Sequence, residues 1–189
     1  MFQMTSGAIV NGSRSMQQNK SLVQGFSFPR AALPIGVNLR ELLANIPLLI
    51  AMLLIVVMLP PAEPITWRWV LIVPVVAMQF IFNLGVSLIL ARVIARVHDV
   101  THLLPFVLRF LMYLSAIFYS YDRFSHYPAL MAAMQANPVF VMIDITRDCI
   151  LYAVTPDWHS WAVLSAWSLG ALIVGMVFFW RAEESYVRG

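Results

Sequence analysis

The chain has 189 residues, of which 61% are hydrophobic and only 11% charged, and its formal net charge is +3. Soluble domains are about 45–50% apolar and about 25% charged, so this composition excludes a water-soluble globule with a charged surface. The single cysteine, Cys149, excludes an internal disulfide and a thiolate metal cluster, and the chain is predicted to be an integral membrane protein.

The first forty residues contain no apolar run long enough to span a membrane. Residues 2–10 are mildly apolar and are followed by a polar stretch, a pattern that fits the cytoplasmic half of a helix. Residues 11–40 are predicted to be cytoplasmic. This segment is either a projection that receives force from a separate motor or an ordinary loop.

Four later runs are long and apolar enough to be membrane-spanning helices, because a span needs roughly 20 mostly apolar residues. They cover residues 42–59, 69–90, 103–120 and 161–180. Backbone groups in lipid must pair within the chain, which favours helices over strands. The predicted fold class is therefore an all-α, polytopic membrane protein with four complete transmembrane helices and a partial N-terminal one.

The distribution of basic residues predicts the orientation of these spans. Arginine and lysine are concentrated in residues 11–40, in the 91–101 link and in the C-terminal tail, and the positive-inside rule assigns these segments to the cytoplasm. The four spans alternate consistently with that choice. We expect a multi-pass protein of the plasma membrane with a cytoplasmic C-terminus.

The segment before the last span is apolar but is interrupted at Asn137-Pro138. Proline lacks a backbone donor and biases its predecessor away from the helical conformation, so two short helices are predicted instead of one span. They lie on the outer side, within an extracytoplasmic region that covers residues 121–157.

Asp144, Arg147 and Asp148 follow at helical spacing. They form either a local network of ion pairs or an acid/base site, and a membrane-embedded transferase or phosphatase using Asp144 and Asp148 with a histidine is one alternative function. His98 and His102 have no third ligand nearby, so no metal site is expected. The chain has no phosphate-binding loop and is not expected to hydrolyse nucleotide by itself.

Arg109 is the one charge well inside an apolar run of the predicted spans. It either has a function within the membrane or extends its side chain to the cytoplasmic interface. The aromatic side chains near the outer end of the same span, including Tyr113, Phe118 and Tyr119, form either an interfacial belt or a channel lining on which sugar faces stack.

Several motifs resemble the permeases of ABC-2 type polysaccharide exporters. The run NKSLVQGFSFPRAALP is similar to the stretch after the second helix of that family, LRFLMYLSAIFYS resembles its fifth helix with Ala116 in place of a proline, and the order Asn137-Pro138…Arg147 resembles its outer gate. The tail FFWRAEESYVRG is similar to the ending of actinobacterial members.

This resemblance implies one permease domain over residues 1–189, a homodimer, and a separate ABC nucleotide-binding subunit that holds the ATP. It implies export of a lipid-linked glycan such as O-antigen, teichoic acid or galactan, with residues 11–40 as the coupling segment and 121–157 as the gate. By this resemblance the sequence starts inside the family's second helix, and the first span and most of the second are expected to be absent from it. The coupling residues by resemblance are Asn19, Lys20, Leu22, Val23, Phe28, Pro29 and Arg30, and the channel or gate candidates are Arg109, Tyr113, Phe118, Tyr119, Asn137, Pro138 and Arg147.

Three alternatives to a glycan exporter stay open at this point. The first is an ABC-2 exporter of drugs or small lipids, the second is the membrane enzyme described above, and the third is a scaffold that transports nothing. In the leading interpretation the chain has no catalytic, cofactor or metal site of its own. Its partners are the ATPase, a second permease copy, the glycan and membrane lipid, and nucleic acid is not among them.

Overall fold

A computed structural model describes residues 1–19, 31–58, 66–97, 99–115 and 128–186. These residues form helices and no strands, which confirms the all-α fold class. The helices, numbered in chain order, are α1 Phe2–Gln18, α2 Ala32–Met58, α3 Ile72–Arg96 with a short 3-10 turn Trp67–Leu71 leading into it, α4 Val100–Leu114, α5 Pro128–Gln135, α6 Pro138–Ile150 and α7 Trp158–Tyr186.

Three of these helices are long and apolar enough to cross a membrane, namely Ala32–Met58, Trp67–Arg96 and Trp158–Arg181. They confirm the first, second and fourth predicted spans. The third predicted span corresponds to α4, which has 15 residues within the described part of the chain. At 1.5 Å per residue α4 is about 22 Å long, less than the roughly 30 Å hydrocarbon core, and the predicted end at 116–120 lies outside the described residues. A count of four complete spans is therefore not confirmed.

The first span begins ten residues earlier than the hydropathy pattern indicates. Asn38, Arg40 and Glu41 interrupt the apolar run in the sequence, but the fold makes the helix continuous through them. Asn38 is fully buried and donates to the carbonyl of Pro34 at 2.8 Å, while Glu41 accepts a hydrogen bond from the Asn11 side chain at 2.8 Å. A partner within α2 for Asn38 and one on α1 for Glu41 thus make these two polar groups compatible with a membrane helix.

The N-terminal segment is a helix of 17 residues, and one face of it is buried in the bundle. Residues 11–18, predicted to belong to the cytoplasmic coupling segment, are the second half of this helix. Residues 32–40, at the other end of that segment, are the first part of α2. The predicted segment 11–40 therefore starts inside one helix and ends inside another.

Helix α1 runs parallel to α3. Gln79 near the start of α3 donates to the hydroxyl of Thr5 at 2.8 Å, and Gln17 near the end of α1 donates to the carbonyl of Ile94 at 3.1 Å. Helix α2 runs antiparallel to both, since Gly7 lies against Glu41 whereas Gly12, further along α1, lies against Asn38. Each of the three helices contacts the other two.

Helix α7 also runs parallel to α3, as expected if their N-termini lie on the same side of the membrane. Ser165 lies against Met78, Ala171 lies against Gly85, and the register between the two helices is constant. A Cβ on Gly85 would lie 2.3 Å from the backbone carbonyl carbon of Ala171, so only glycine permits this approach. Close approach through small residues is a common means of helix association in lipid.

Further along the same interface, the guanidinium of Arg92 lies 4.0 Å from the centre of the Phe178 ring and donates to the carbonyl of Phe178. This contact combines a cation–π interaction with a hydrogen bond. The α3–α7 pair is therefore fixed at its middle by backbone contact and at its far end by an arginine.

The short helices α5 and α6 share one core with α3 and α7. Val75 and Phe82 from α3, Leu164 from α7 and Met134 from α5 pack against the apolar face of α6. That face comprises Phe140, Val141, Met142, Ile145 and Cys149, all buried. The two short helices predicted around Asn137-Pro138 are thus observed.

Candidate functional site

Asn137 is the polar centre of the candidate gate. It is 5% exposed and stands as the N-cap of α6, where its Oδ1 accepts from the backbone N–H of Val139 at 3.0 Å. Pro138 occupies the first helical position, where a missing N–H costs nothing. The Nδ2 of Asn137 donates to the Oγ of Ser115 at 3.0 Å. The Asn137 side chain therefore caps the N-terminus of α6 and also connects it by a hydrogen bond to the C-terminal end of α4.

A second bond ties the same break to the last helix. The indole Nε1 of Trp167, on α7, donates to the carbonyl of Ala136 at 2.9 Å. The Asn-Pro break is consequently held from both sides, by Ser115 and by Trp167. A movement of α6 would require one of these bonds to change.

A polar cavity of about 230 Å³ lies between α6 and the start of α7. Its lining brings together the two carboxylates predicted from spacing, Asp144 and Asp148, with Asp157 and His159. Asp157 and His159 lie close to α6 because the chain reverses its direction within residues 151–157, where Ala153 has a positive φ of 49°. Among the described residues no group of histidine, cysteine and acidic side chains is arranged to hold a metal ion.

Burial changes the protonation of the two carboxyl groups on α6, which lies outside the three candidate spans. Desolvation, reinforced by the charge of Asp144, raises the pKa of Asp148 to about 6. Desolvation also raises the pKa of Asp144, although the neighbouring Arg147 opposes that shift. The cavity therefore contains a carboxyl group that titrates close to neutral pH.

The structure places the remaining channel candidates apart from this cluster. Arg109 and Tyr113 lie on the exposed face of α4, opposite the buried side chains of Leu104 and Leu108. Phe106 and Phe110 extend the same exposed face. Helix α4 therefore has one face in the bundle core and one aromatic face directed away from it.

Of the predicted coupling residues, Asn19 is described, and its side chain closes the end of α1 by donating to the carbonyl of Ser15 at 2.8 Å. The other candidates outside the described residues are Lys20, Leu22, Val23, Phe28, Pro29 and Arg30 of the coupling segment, and Phe118 and Tyr119 of the predicted channel.

Buried polar and small residues line the contact between α1, α2 and α3, and the sequence did not predict this contact. We call it the polar seam, and it comprises Thr5, Ala8, Gly12, Asn38, Gln79, Asn83 and Ser87. Besides the Gln79–Thr5 bond, the Oγ of Ser87 lies 3.0 Å from the carbonyl of Ala8 and 3.5 Å from the Oδ1 of Asn38. One hydroxyl proton thus faces two acceptors on two helices.

Gly12 allows the three helices to meet at this point. A Cβ added there would lie 2.6 Å from the Oγ of Ser87 and 2.9 Å from the Nδ2 of Asn38. The residues of α3 in the seam recur every fourth position inside an apolar run. Polar residues within a membrane span usually indicate a function. The spacing of Gln79, Asn83 and Ser87 could therefore have identified the polar seam from the sequence.

The middle member of the seam on α3 has no hydrogen-bond partner among the described residues. Asn83 is 1% exposed, and within that part of the chain neither its amide nitrogen nor its amide oxygen makes a hydrogen bond. The Oε1 of Gln79 is unpaired as well. Buried polar groups are satisfied in the large majority of cases, so an amide with both atoms unpaired requires an explanation.

Comparison with known proteins adds one assignment. Residues 1–151 match the family described as ABC-2 type transporter, which covers most of the 189 residues. Among curated proteins none matches the chain.

Proposed function

The chain belongs to the ABC-2 type transporter family, and from this membership we propose that it is the permease subunit of an ATP-driven exporter of lipid-linked polysaccharide. The membrane domain of this family is the permease part of an ABC exporter and works with an ABC ATPase subunit. Family membership does not specify the substrate. The proposal of a lipid-linked glycan is supported by the sequence motifs quoted above.

The coupling function is proposed for residues 11–40. The ATPase hydrolyses ATP, and a cytoplasmic segment of the permease must transmit the movement. In the described part of this segment, the carboxamide of Asn19 closes α1 at its C-terminal end. A force applied beyond this residue would reach the polar seam through a continuous helix.

A second copy of the chain is proposed to complete the channel. The exposed face of α4 is the candidate lining, because Phe106, Phe110 and Tyr113 are all more than half exposed there. Aromatic rings stack on the apolar faces of sugars, and Arg109 on the same face would interact with anionic groups of a lipid-linked glycan.

Residues 121–157 are proposed to gate the outer mouth of the channel. Asn137 supports this assignment, because its side chain joins α6 to α4 and therefore connects the gate to the channel-lining helix.

We also propose that the protein resides in the plasma membrane and that its C-terminus is cytoplasmic. Reporter fusions active only in the cytoplasm or only outside would test it.

Surface glycan in a strain lacking this gene is the direct test of the substrate. We expect surface polymer to be lost and lipid-linked polymer to accumulate inside, with restoration by the intact gene. An ATPase should copurify with the tagged permease. Unchanged surface polymer together with altered drug tolerance would replace the glycan by drugs or small lipids as substrate.

A membrane-embedded transferase or phosphatase is a second candidate, favoured by the cavity that joins Asp144, Asp148 and His159. The variants Asp144→Asn and Asp148→Asn separate the two functions. In the permease they leave assembly intact and transport largely preserved. Complete loss of turnover by a normally assembled protein that copurifies with no ATPase would favour the enzyme.

A further inference from the structure

The acidic cavity between α6 and α7 is bordered by the chain that connects these two helices. Most residues of this connection, 151–157, are exposed, and none of them belongs to a hydrophobic cluster of the described core. Tyr152 and Val154 are 61% and 53% exposed. The connection therefore has room to move outwards, away from α6.

Two backbone hydrogen bonds hold the connection against the end of α6. The N–H of Tyr152 donates to the carbonyl of Arg147 at 3.2 Å, and the N–H of Val154 donates to the carbonyl of Asp148 at 3.0 Å. Between the two donors, Ala153 has a φ of 49°, which glycine adopts readily and a residue with a side chain does not. These local bonds must therefore offset a strained residue.

Charged groups from four elements lie in or beside the cavity. Helices α3 and α5 contribute no charged side chain to its described lining, and Met1 packs against the apolar core beside α6 and is not part of the lining. Three carboxyls line the cavity, so complete ionisation would place three negative charges in about 230 Å³. The charged groups are Asp144, Arg147 and Asp148 on α6, Asp157 at the end of the connection, His159 on α7, and Arg68 on the 3-10 turn, whose charge acts on the adjacent Cys149.

The protonation of Asp148 depends on how well the cavity is covered. Desolvation, together with the charge of Asp144, raises the pKa of Asp148 from 3.8 to about 6 in the covered cavity. If the connection moves outwards and water enters, this pKa returns towards 3.8. A state that binds the proton more tightly is favoured at low pH, and it loses this advantage as the pH rises from about 4 to about 6.

From this geometry we propose that residues 151–157 are a flap that closes over the acidic cavity when Asp148 is protonated and lifts when it is ionised. Helix α6 stays in place, because its apolar face is buried in the core that it shares with α3 and α7. Helix α7 also stays, because Ala171 is in backbone contact with Gly85. The inference requires neither the glycan substrate nor the ATPase, and it gives the region proposed as the gate a response to pH.

Hydrogen exchange at the backbone amides of Tyr152 and Val154 tests the flap, because both amides lose their acceptors when it lifts. The permease is labelled in lipid nanodiscs between pH 4.5 and pH 7.5, and each exchange rate is divided by the intrinsic rate at that pH. We expect the protection of these amides to fall by roughly tenfold and to level off above about pH 6. The pKa values of 3.8 and about 6 set a limit of roughly 25-fold over this range.

Asp148→Asn should keep the protection at its low-pH value throughout, because the amide has the shape of the protonated carboxyl and no charge to gain. Asp99→Asn is the matched control. It removes an exposed carboxylate from the α3–α4 turn, where the amide of His102 donates to the carbonyl of Asp99 at 3.0 Å, and it should leave the response of the flap unchanged.

Protection that is independent of pH in the unmodified chain, or an equal response in Asp148→Asn, would overturn the flap. A strain that keeps its surface glycan, or a permease that copurifies with no ATPase, would overturn the proposed function and leave the exchange result intact. The two failures are therefore distinguished.

Discussion

The two faces of α3 are built differently. Towards α7 the contact is made by backbone and small residues, with Gly85 against Ala171, whereas towards α1 it is made by polar side chains from Gln79 to Ser87. Backbone contact has one geometry and fails if either helix shifts. Towards α1, buried hydrogen bonds and the close approach at Gly12 fix the contact together. One helix of a membrane protein can therefore pack by backbone contact on one face and by buried polar side chains on the other.

The largest effect is expected from a side chain introduced at the backbone contact between α3 and α7. Gly85→Leu should destroy the α3–α7 pair, because the clash is with backbone and no rotamer relieves it, and we expect a cost at or beyond the upper end of about 1–3 kcal/mol. The readouts are the monodisperse fraction in detergent and the thermal midpoint.

Gly170→Leu is the matched control for that variant. Gly170 lies on α7, the partner of α3 in this pair, one residue before Ala171, and no atom lies within 4 Å of its added Cβ. It should retain the normal yield and midpoint. Equal behaviour of the two variants would show that the α3–α7 contact is not close-packed.

A smaller effect is expected where polar groups hold short helices together at the gate. Asn137→Ala removes the cap of α6 and the bond to Ser115, and it should lower stability by about 1–2 kcal/mol. Asn137→Ser keeps a capping oxygen but is too short for Ser115, so its loss should be smaller. If Asn137→Ala and Asn137→Ser unfold at the same temperature, the cap contributes nothing.

The polar seam should show weaker pairwise coupling than its burial suggests. A double-mutant cycle of Thr5→Val and Gln79→Leu is expected to give about 0.6 kcal/mol, because the unfolded state in a membrane also finds partners. The contact of Ser165 with Met78 on the rigid face, tested with Ser165→Ala and Met78→Leu, should give no measurable coupling. A larger value on the rigid face would reverse the comparison.

The last prediction is a pH dependence and concerns the acidic cavity, where burial raises the pKa of a carboxyl group. Since burial raises the pKa of Asp148 from 3.8 to about 6, the folded state retains a proton that the unfolded state releases between these values. Stability should therefore be highest at low pH, fall as the pH rises from about 4 to about 6, and level off above. Thermal midpoints across this range should flatten in Asp148→Asn. An unchanged slope in that variant would assign the pH dependence to other groups.

Much of the fold could be predicted because apolar runs and proline breaks are local signals. The break at Pro138 and three of the spans follow from them. The early start of α2 could not be predicted, since the hydrogen-bond partner of Glu41 is Asn11, which lies thirty residues away in the sequence. The burial of α1 was hidden for the same reason, because its partners are on α3.

The candidate site was predicted in part. Spacing alone placed Asp144 and Asp148 on one helix, and the Asn-Pro pattern identified Asn137. The approach of Asp157 and His159 depends on the chain reversal around Ala153, whose positive φ is unusual for a residue with a side chain. Pro156 and Asp157 are typical turn residues, but they do not predict which side chains the turn brings together.

The positions of the partners along the chain imply an order of assembly during synthesis. The Gln79–Thr5 bond joins two residues that are 74 positions apart, and both residues are synthesised before α7. The contact of Met78 with Ser165 requires a residue of α7 that follows 87 positions later. All residues of the α1–α3 interface are therefore synthesised before α7, whereas the glycine face of α3 has no partner on α7 until about eighty further residues have been made.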